Sequence, residues 1–184
     1  FTAPVWWFYL YWLPKFLHAQ YGLDLVSLGP PLVVIYTMTC VGSIGGGWLS
    51  GFLLRRGWSV NASRKTAMLI CALCVVPVVF AAQVSHLWLA TLLIGLAASA
   101  HQGWAANLFT LVSDMFPKQA VASVVGLGVM FGSLTAMLVS QSAGFILETT
   151  GSYWSLFAVA GGAYLVALAF MHALAPRLEP AELK

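Results

Sequence analysis

Charged side chains are what this 184-residue sequence has least of: only 7% of it is Asp, Glu, Lys or Arg, against 61% hydrophobic residues. Soluble domains carry roughly a quarter charged residues, so a water-exposed surface could not be covered. The few basic residues sit beside apolar runs and form no patch for nucleic acid. Cysteine is limited to Cys40, Cys71 and Cys74, all inside apolar runs. Cys71-x-x-Cys74 puts two thiols on one helix face, but no polar neighbour is there to activate them, so they read as small packing residues. Neither His-Glu-x-x-His nor Gly-x-Ser-x-Gly occurs, and no two carboxylates share a position deep in an apolar run. His18, His86 and His172 stand singly at the ends of runs. These absences argue against an enzyme and call for no metal or cofactor.

What the sequence does have is long apolar runs, with a mean hydropathy of +0.91. A membrane helix needs about 20 such residues. Six candidates follow: 3–17, 30–54, 66–84, 87–112, 119–147 and 153–174. They fill residues 1–175 and leave a polar tail, 176–184. The runs are apolar all round, without the alternation of barrel strands. The expected fold class is therefore an all-α membrane protein with six transmembrane helices. Arg55, Arg56, Arg64 and Lys65 flank the second connection, Lys118 lies in the fourth, and Arg177 and Lys184 lie in the tail. The first connection has only Lys15 at its edge, and the third and fifth have no Lys or Arg. Positive charge on every second connection places those connections, and both chain ends, in the cytoplasm. The sequon Asn61-Ala62-Ser63 then faces the cytoplasm and is expected to stay unglycosylated. The sequence opens without Met and almost directly on a span, which suggests a piece of a longer protein.

The second and fifth runs repeat each other. Gly42-Ser43-Ile44 and Gly51-Phe52-Leu53-Leu54 correspond to Gly132-Ser133-Leu134 and Gly144-Phe145-Ile146-Leu147, at offsets of 90 and 93 residues. Spans 1–3 and 4–6 are then copies of one unit. Three is odd, so the copies lie inverted in the membrane, a building plan of secondary transporters. Gly42, Gly46, Gly47 and Gly51 also follow small-xxx-small spacing, which lets helix backbones approach closely.

Three stretches carry a resemblance. They are Pro4-Val5-Trp6-Trp7-Phe8-Tyr9-Leu10-Tyr11-Trp12-Leu13-Pro14-Lys15; Gly46 to Gly51 with Arg55-Arg56-Gly57-Trp58-Ser59-Val60-Asn61 and Arg64-Lys65; and Ala100-His101-Gln102-Gly103-Trp104-Ala105-Ala106-Asn107 with Ser113-Asp114-Met115-Phe116-Pro117-Lys118. Together they resemble the C-terminal half of major facilitator superfamily transporters, and within it the hexuronate permeases of the anion:cation symporter family. That resemblance implies two six-helix halves around a central cavity, of which this chain is helices seven to twelve. It implies a small organic anion such as glucuronate or galacturonate as substrate, protons as the coupled ion, and a bacterial inner membrane as the setting. It also implies that the N-terminal half is a partner this chain lacks. A porter of another organic anion, such as the aldonate galactonate, is the runner-up. A half-size homodimer is a further alternative. The family's loop motif has an Asp where this sequence has Gly51, so a relay through that acid is in doubt here.

A sugar acid needs a cation for its carboxylate, partners for its hydroxyls and aromatic rings for its apolar face. No charged residue lies at mid-span, and Lys15 is at the outer end of the first span. His101 is the one titratable mid-span group apart from tyrosines and thiols; either it serves, or the missing half holds both the anion site and the coupling acid, as the resemblance implies. His101, Trp104 and Asn107 fall within a 120° arc of the fourth span and can all form hydrogen bonds; they are cavity candidates, with Tyr9, Trp12 and Tyr36 as aromatic ones. Gln102 points to another side. Pro14 is expected to bend the first helix. Asp114, with Lys118, Arg55 and Arg56, is expected to anchor or gate the cytoplasmic face.

Overall fold

The computed structural model describes residues 2–178, so most of the polar tail, Lys184 included, lies outside the described residues. Among the described residues there are helices and no strands. They are α1 (Ala3–Tyr21), α2 (Gly29–Arg55), α3 (Val60–Val75), α4 (Leu87–Met115), α5 (Lys118–Thr150) and α6 (Trp154–Leu174). A 3-10 segment, Val76–Phe80, continues α3. Its Pro77 lacks the amide that an α-helix needs, which accounts for the tightened turn.

Local chemistry sets the ends. Prolines occupy the first turns of α1 and α2, where a missing N–H is harmless. Gly22 and Gly151 close α1 and α5 with φ of 66° and 65°, a conformation that favours glycine. Ser59 caps α3, its hydroxyl accepting from the Ala62 amide at 3.2 Å. That cap starts α3 at Val60, well before the apolar run at 66, because Arg64 and Lys65 are good helix formers although poor membrane residues.

Four helices are long and apolar enough to cross a membrane by length and composition: α2, α3 with its 3-10 extension, α5 and α6. The other two, α1 and α4, carry the Trp-, Tyr- and Pro-rich segment and the His101–Asn107 segment that lower their apolarity.

Close contacts fix the helix directions. Gly42 meets Ser99 and Gly46 meets Gly103, so α2 and α4 run parallel. Gly132 meets Ala3 and Gly144 meets Trp12, so α1 and α5 run parallel. By contrast α3 is antiparallel to α4, through Arg64 to Asp114 and Cys71 to Gly103. It is antiparallel to α6 as well, through Lys65 to Ala175 and Val79 to Gly161. Successive helices therefore alternate, and the triplets α1–α3 and α4–α6 are inverted copies. Exchanging them maps the α1–α5 pair onto α4–α2 and leaves the α3–α6 contact in place. The repeated glycines Gly42 and Gly132 occupy matching places, each against the first helix of the other triplet.

The core between α1 and α6 is aromatic. Phe8 and Phe16 pack edge-on to Phe157 at 5.6 and 5.0 Å between centroids. One end of the bundle gathers the basic residues: Arg64 and Lys65 hold α3 to α4 and to the end of α6, where the Lys65 ammonium donates to the Ala175 and Pro176 carbonyls at 2.7 and 2.8 Å. A cation there suits the negative end of a helix. At the opposite end Asp24 accepts from the Ser27 hydroxyl and amide, which holds its carboxyl below the usual carboxylate range.

Candidate functional site

Three constellations bear chemistry. The first sits between α1, α4 and α6. The His101 ring is buried, stacked on Trp6 at 5.1 Å with 6° between the planes. Its Nδ1 shares a hydrogen bond with the Tyr164 hydroxyl. Trp104 meets the same tyrosine edge-on, with centroids 5.4 Å apart. Tyr9 is buried with it. The Tyr9 hydroxyl and the Trp104 indole N–H are buried and find no partner among the described residues. Such groups usually meet a protein or water partner, since leaving one unmade costs about 1–3 kcal/mol. This cluster holds two buried donors without a partner among the described residues.

The second is the α2–α4 seam. Met38, Gly42, Gly46 and Ser50 recur every four residues on α2, and Gly95, Ser99, Gly103 and Asn107 do so on α4. A Cβ on Gly46 would lie 2.7 Å from the Gly103 carbonyl oxygen, and one on Gly95 would lie 2.5 Å from the Met38 sulfur. Asn107 is fully buried here, and its Nδ2 donates to the carbonyls of Gly46 and Gly103, both at 2.9 Å. The structure thus puts Asn107 in helix packing rather than on an open face. Gly42 and Gly46 serve the packing expected of them. Gly47 and Gly51 do not: nothing lies within 4 Å of a Cβ on Gly47, and Gly51 would meet only Arg55 of its own helix. At 100° per residue they have turned off the seam.

The third is a polar latch at the basic end. Arg64, whose side chain is only 10% exposed, donates from Nε to Asp114 at 2.9 Å and from Nη1 to the Ser50 hydroxyl at 2.7 Å. One guanidinium therefore ties α2, α3 and α4. This is the one ion pair among the described residues, and it replaces the expected grouping of Asp114 with Lys118, Arg55 and Arg56. Those three are exposed, and Arg56 lies over the Phe52 ring at 4.5 Å.

The remaining aromatic candidates lie apart. Tyr36 is on the exposed side of α2. Trp12 is half-buried against α5 with the Lys15 ammonium 4.6 Å above its ring. Reading the sequence did not single out Tyr164 or Arg64 as partners, nor the Gly95-x-x-x-Ser99-x-x-x-Gly103 stripe. The stripe was visible as small-xxx-small spacing in α4, whereas no local signal joins Arg64 to Asp114, 50 residues on.

A family model of the Major Facilitator Superfamily matches residues 1–140. The chain belongs to the Major Facilitator Superfamily. As a member of that transporter superfamily it has the all-helical architecture of half the superfamily's fold, with six helices in two triplets. Curated relatives extend the match. It is 28% identical to a probable galactarate/D-glucarate transporter of Escherichia coli K12 over 96% of this chain and 39% of that protein. It is 25% identical to a D-galactonate transporter of Escherichia coli O6:H1, over 92% of this chain and 39% of that protein. A hexuronate transporter of Escherichia coli K12 is 29% identical over 86% of this chain and 37% of that protein. The chain thus spans about two fifths of the length of these relatives.

Proposed function

We propose that the chain is the C-terminal six-helix half of a porter that moves a sugar acid inward with protons by alternating access. One observation carries this: relatives matching nearly the whole chain bear the names of transporters for galactarate/D-glucarate, D-galactonate and hexuronate. All three classes share a carboxylate on a polyhydroxylated chain. Hexuronates were the first choice from sequence, with aldonates second; the names give equal support to both and add aldarates.

The geometry is compatible with that chemistry. Tyr9, His101 and Trp104 form the wall that bears spare hydrogen-bond donors, while Trp12 and Tyr36 lie apart from it. Asn107 backs this wall by holding α4 to α2. The described charged residues lie at or near helix ends, so the buried cation and the proton-carrying acid belong to the N-terminal half. A homodimer of half-size chains would lack both. The basic end faces the cytoplasm of an inner membrane by the positive-inside rule, with both ends of the chain there. The Arg64–Asp114–Ser50 latch acts at that face as a gate hinge.

The test is uptake into proteoliposomes by the full-length gene product. Labelled glucuronate should accumulate when the outside is acidic, and excess galactonate or glucarate reveals the preferred acid by competition. Absence of uptake of all three acids would overturn the reading.

A further inference from the structure

Two basic side chains that take no part in the sugar-acid chemistry meet at the basic end of the bundle. The Lys65 ammonium lies against three acceptors: the carbonyls of Ala175 and Pro176 at 2.7 and 2.8 Å, and Nδ1 of His172 at 3.2 Å. An ammonium has three N–H donors and no acceptor, so the ring nitrogen facing it must offer a lone pair. His172 is therefore neutral in this arrangement, with its ring proton on Nε2. The two carbonyls keep the charge on the lysine, since bonds from a charged donor are the stronger ones.

The contact spans 107 residues of sequence and fastens the end of α6 to the start of α3. Past it the chain turns back on the bundle: Pro176 and Arg177 are exposed, but Leu178 is buried. His172 itself is exposed, so protons reach it from water. Imidazole is the side chain whose ordinary proton exchange falls between about pH 5 and 8. A proton on Nδ1 removes the acceptor and sets a second positive charge 3.2 Å from the first.

Among the described residues no group offsets that charge. On α3 the neighbour of Lys65 is Arg64, which is turned to Asp114 and Ser50. The 3-10 segment that packs on α6 holds only Val, Pro and Phe. From α1 the groups that meet α6 are Phe8 and Phe16. On the α6 side Arg177 adds a cation, and Tyr164 is bound to His101 two turns away. Of the described acids, Asp114 is held by Arg64, and Asp24 and Glu148 lie at the opposite end.

We propose that Lys65 and His172 form a proton-operated clasp, closed near neutral pH and opened by acid, which frees residues 175–178 from α3. In the topology described above it reads the pH of the cytoplasm. The sign is set by geometry: the third bond of the ammonium is present at high pH and is lost as pH falls. The signal arrives at the turn of α3 whose preceding residue, Arg64, ties α2 to α4. The clasp goes beyond the sugar-acid reading and is independent of which acid is carried.

The experiment uses the purified full-length protein in detergent, where both faces meet the buffer, in a Cys40→Ser background. Leu178→Cys places a thiol in the segment that the clasp holds down. Gln119→Cys, exposed at the start of α5, corrects for the pH dependence of the reagent itself. Labelling by a charged thiol reagent is timed from about pH 8 to about pH 5. The ratio of the Leu178→Cys rate to the Gln119→Cys rate should rise several-fold on acidification. With His172→Gln, whose amide oxygen accepts from Lys65 but takes no proton, the ratio should stay low throughout. With His172→Arg, whose charge is permanent, it should be high throughout. Nitrogen NMR of the protein with native Leu178 should find the His172 ring proton on Nε2 near neutral pH. A flat ratio with His172 in place, a rise that persists in His172→Gln, or a ring proton on Nδ1 overturns the inference. No substrate enters the measurement, so its failure is distinct from failure of the sugar-acid reading.

Discussion

Gly45, Gly46 and Gly47 are consecutive and chemically identical, yet replacing each by alanine should give different results. At Gly46 the new methyl would lie 2.7 Å from the Gly103 carbonyl oxygen and press on the Gly103 backbone. Comfortable separations are about 3.5–4.0 Å, so α2 and α4 must part by roughly 1 Å. Overpacking of this kind costs about 1–3 kcal/mol. The same shift stretches the Asn107 bond to the Gly46 carbonyl, a membrane hydrogen bond worth about 0.6 kcal/mol. Alanine returns about 1 kcal/mol of helix propensity. The net destabilisation is about 1–2 kcal/mol. At Gly45 and Gly47 nothing lies within 4 Å, so only the propensity gain remains. Thermal unfolding of the purified full-length variants in detergent should therefore separate Gly46→Ala from its two neighbours by about 2–3 kcal/mol. Equal stability of the three variants would refute the parallel α2–α4 seam.

Three further outcomes follow from the remaining contacts. Asp114→Asn leaves the Arg64 guanidinium without its counter-charge; transport turnover should fall several-fold with substrate KM nearly unchanged, and unaltered turnover would remove the latch from the transport cycle. Tyr164→Phe deletes the hydroxyl bound to His101, which should lower stability by about 0.6–1 kcal/mol in the same unfolding assay. Ser27→Ala removes the hydroxyl that holds the Asp24 carboxyl below its usual range, so an NMR titration should find that carboxyl moved up toward the ordinary carboxylate range. Because the wild-type folded pKa is depressed, this contact stabilises the fold above the ordinary carboxylate range. The contribution is lost as pH falls through the lowered value, and nothing changes between pH 6 and 8.

The helices were legible because a bilayer demands apolar runs of a set length, and their alternation was legible in Arg55, Arg56, Lys118 and the bare third and fifth connections. Helix ends were less so. The sequence places the third apolar run at 66, but the Ser59 cap starts α3 at Val60, since hydrogen bonding and lipid solvation obey different rules. The candidate site was read only in part. His101, Trp104 and Asn107 do share an arc, but a 120° arc is wide enough to touch two neighbours, so Tyr164 of α6 takes the first two and the glycines of α2 take the third. The Arg64–Asp114 pair joins helices that no local pattern links.

The parallel pairings have a consequence for synthesis at the ribosome. The helix that opens the chain finds its parallel partner only in α5, and α2 finds its own in α4. Neither triplet completes these seams by itself: Gly42 waits for Ser99, 57 residues on, and Ala3 for Gly132, 129 residues on. A pause or truncation between α4 and α5 would leave α1 with its Trp6–His101 stack on α4 but without its parallel partner, and such nascent chains are the ones a quality-control protease should meet first.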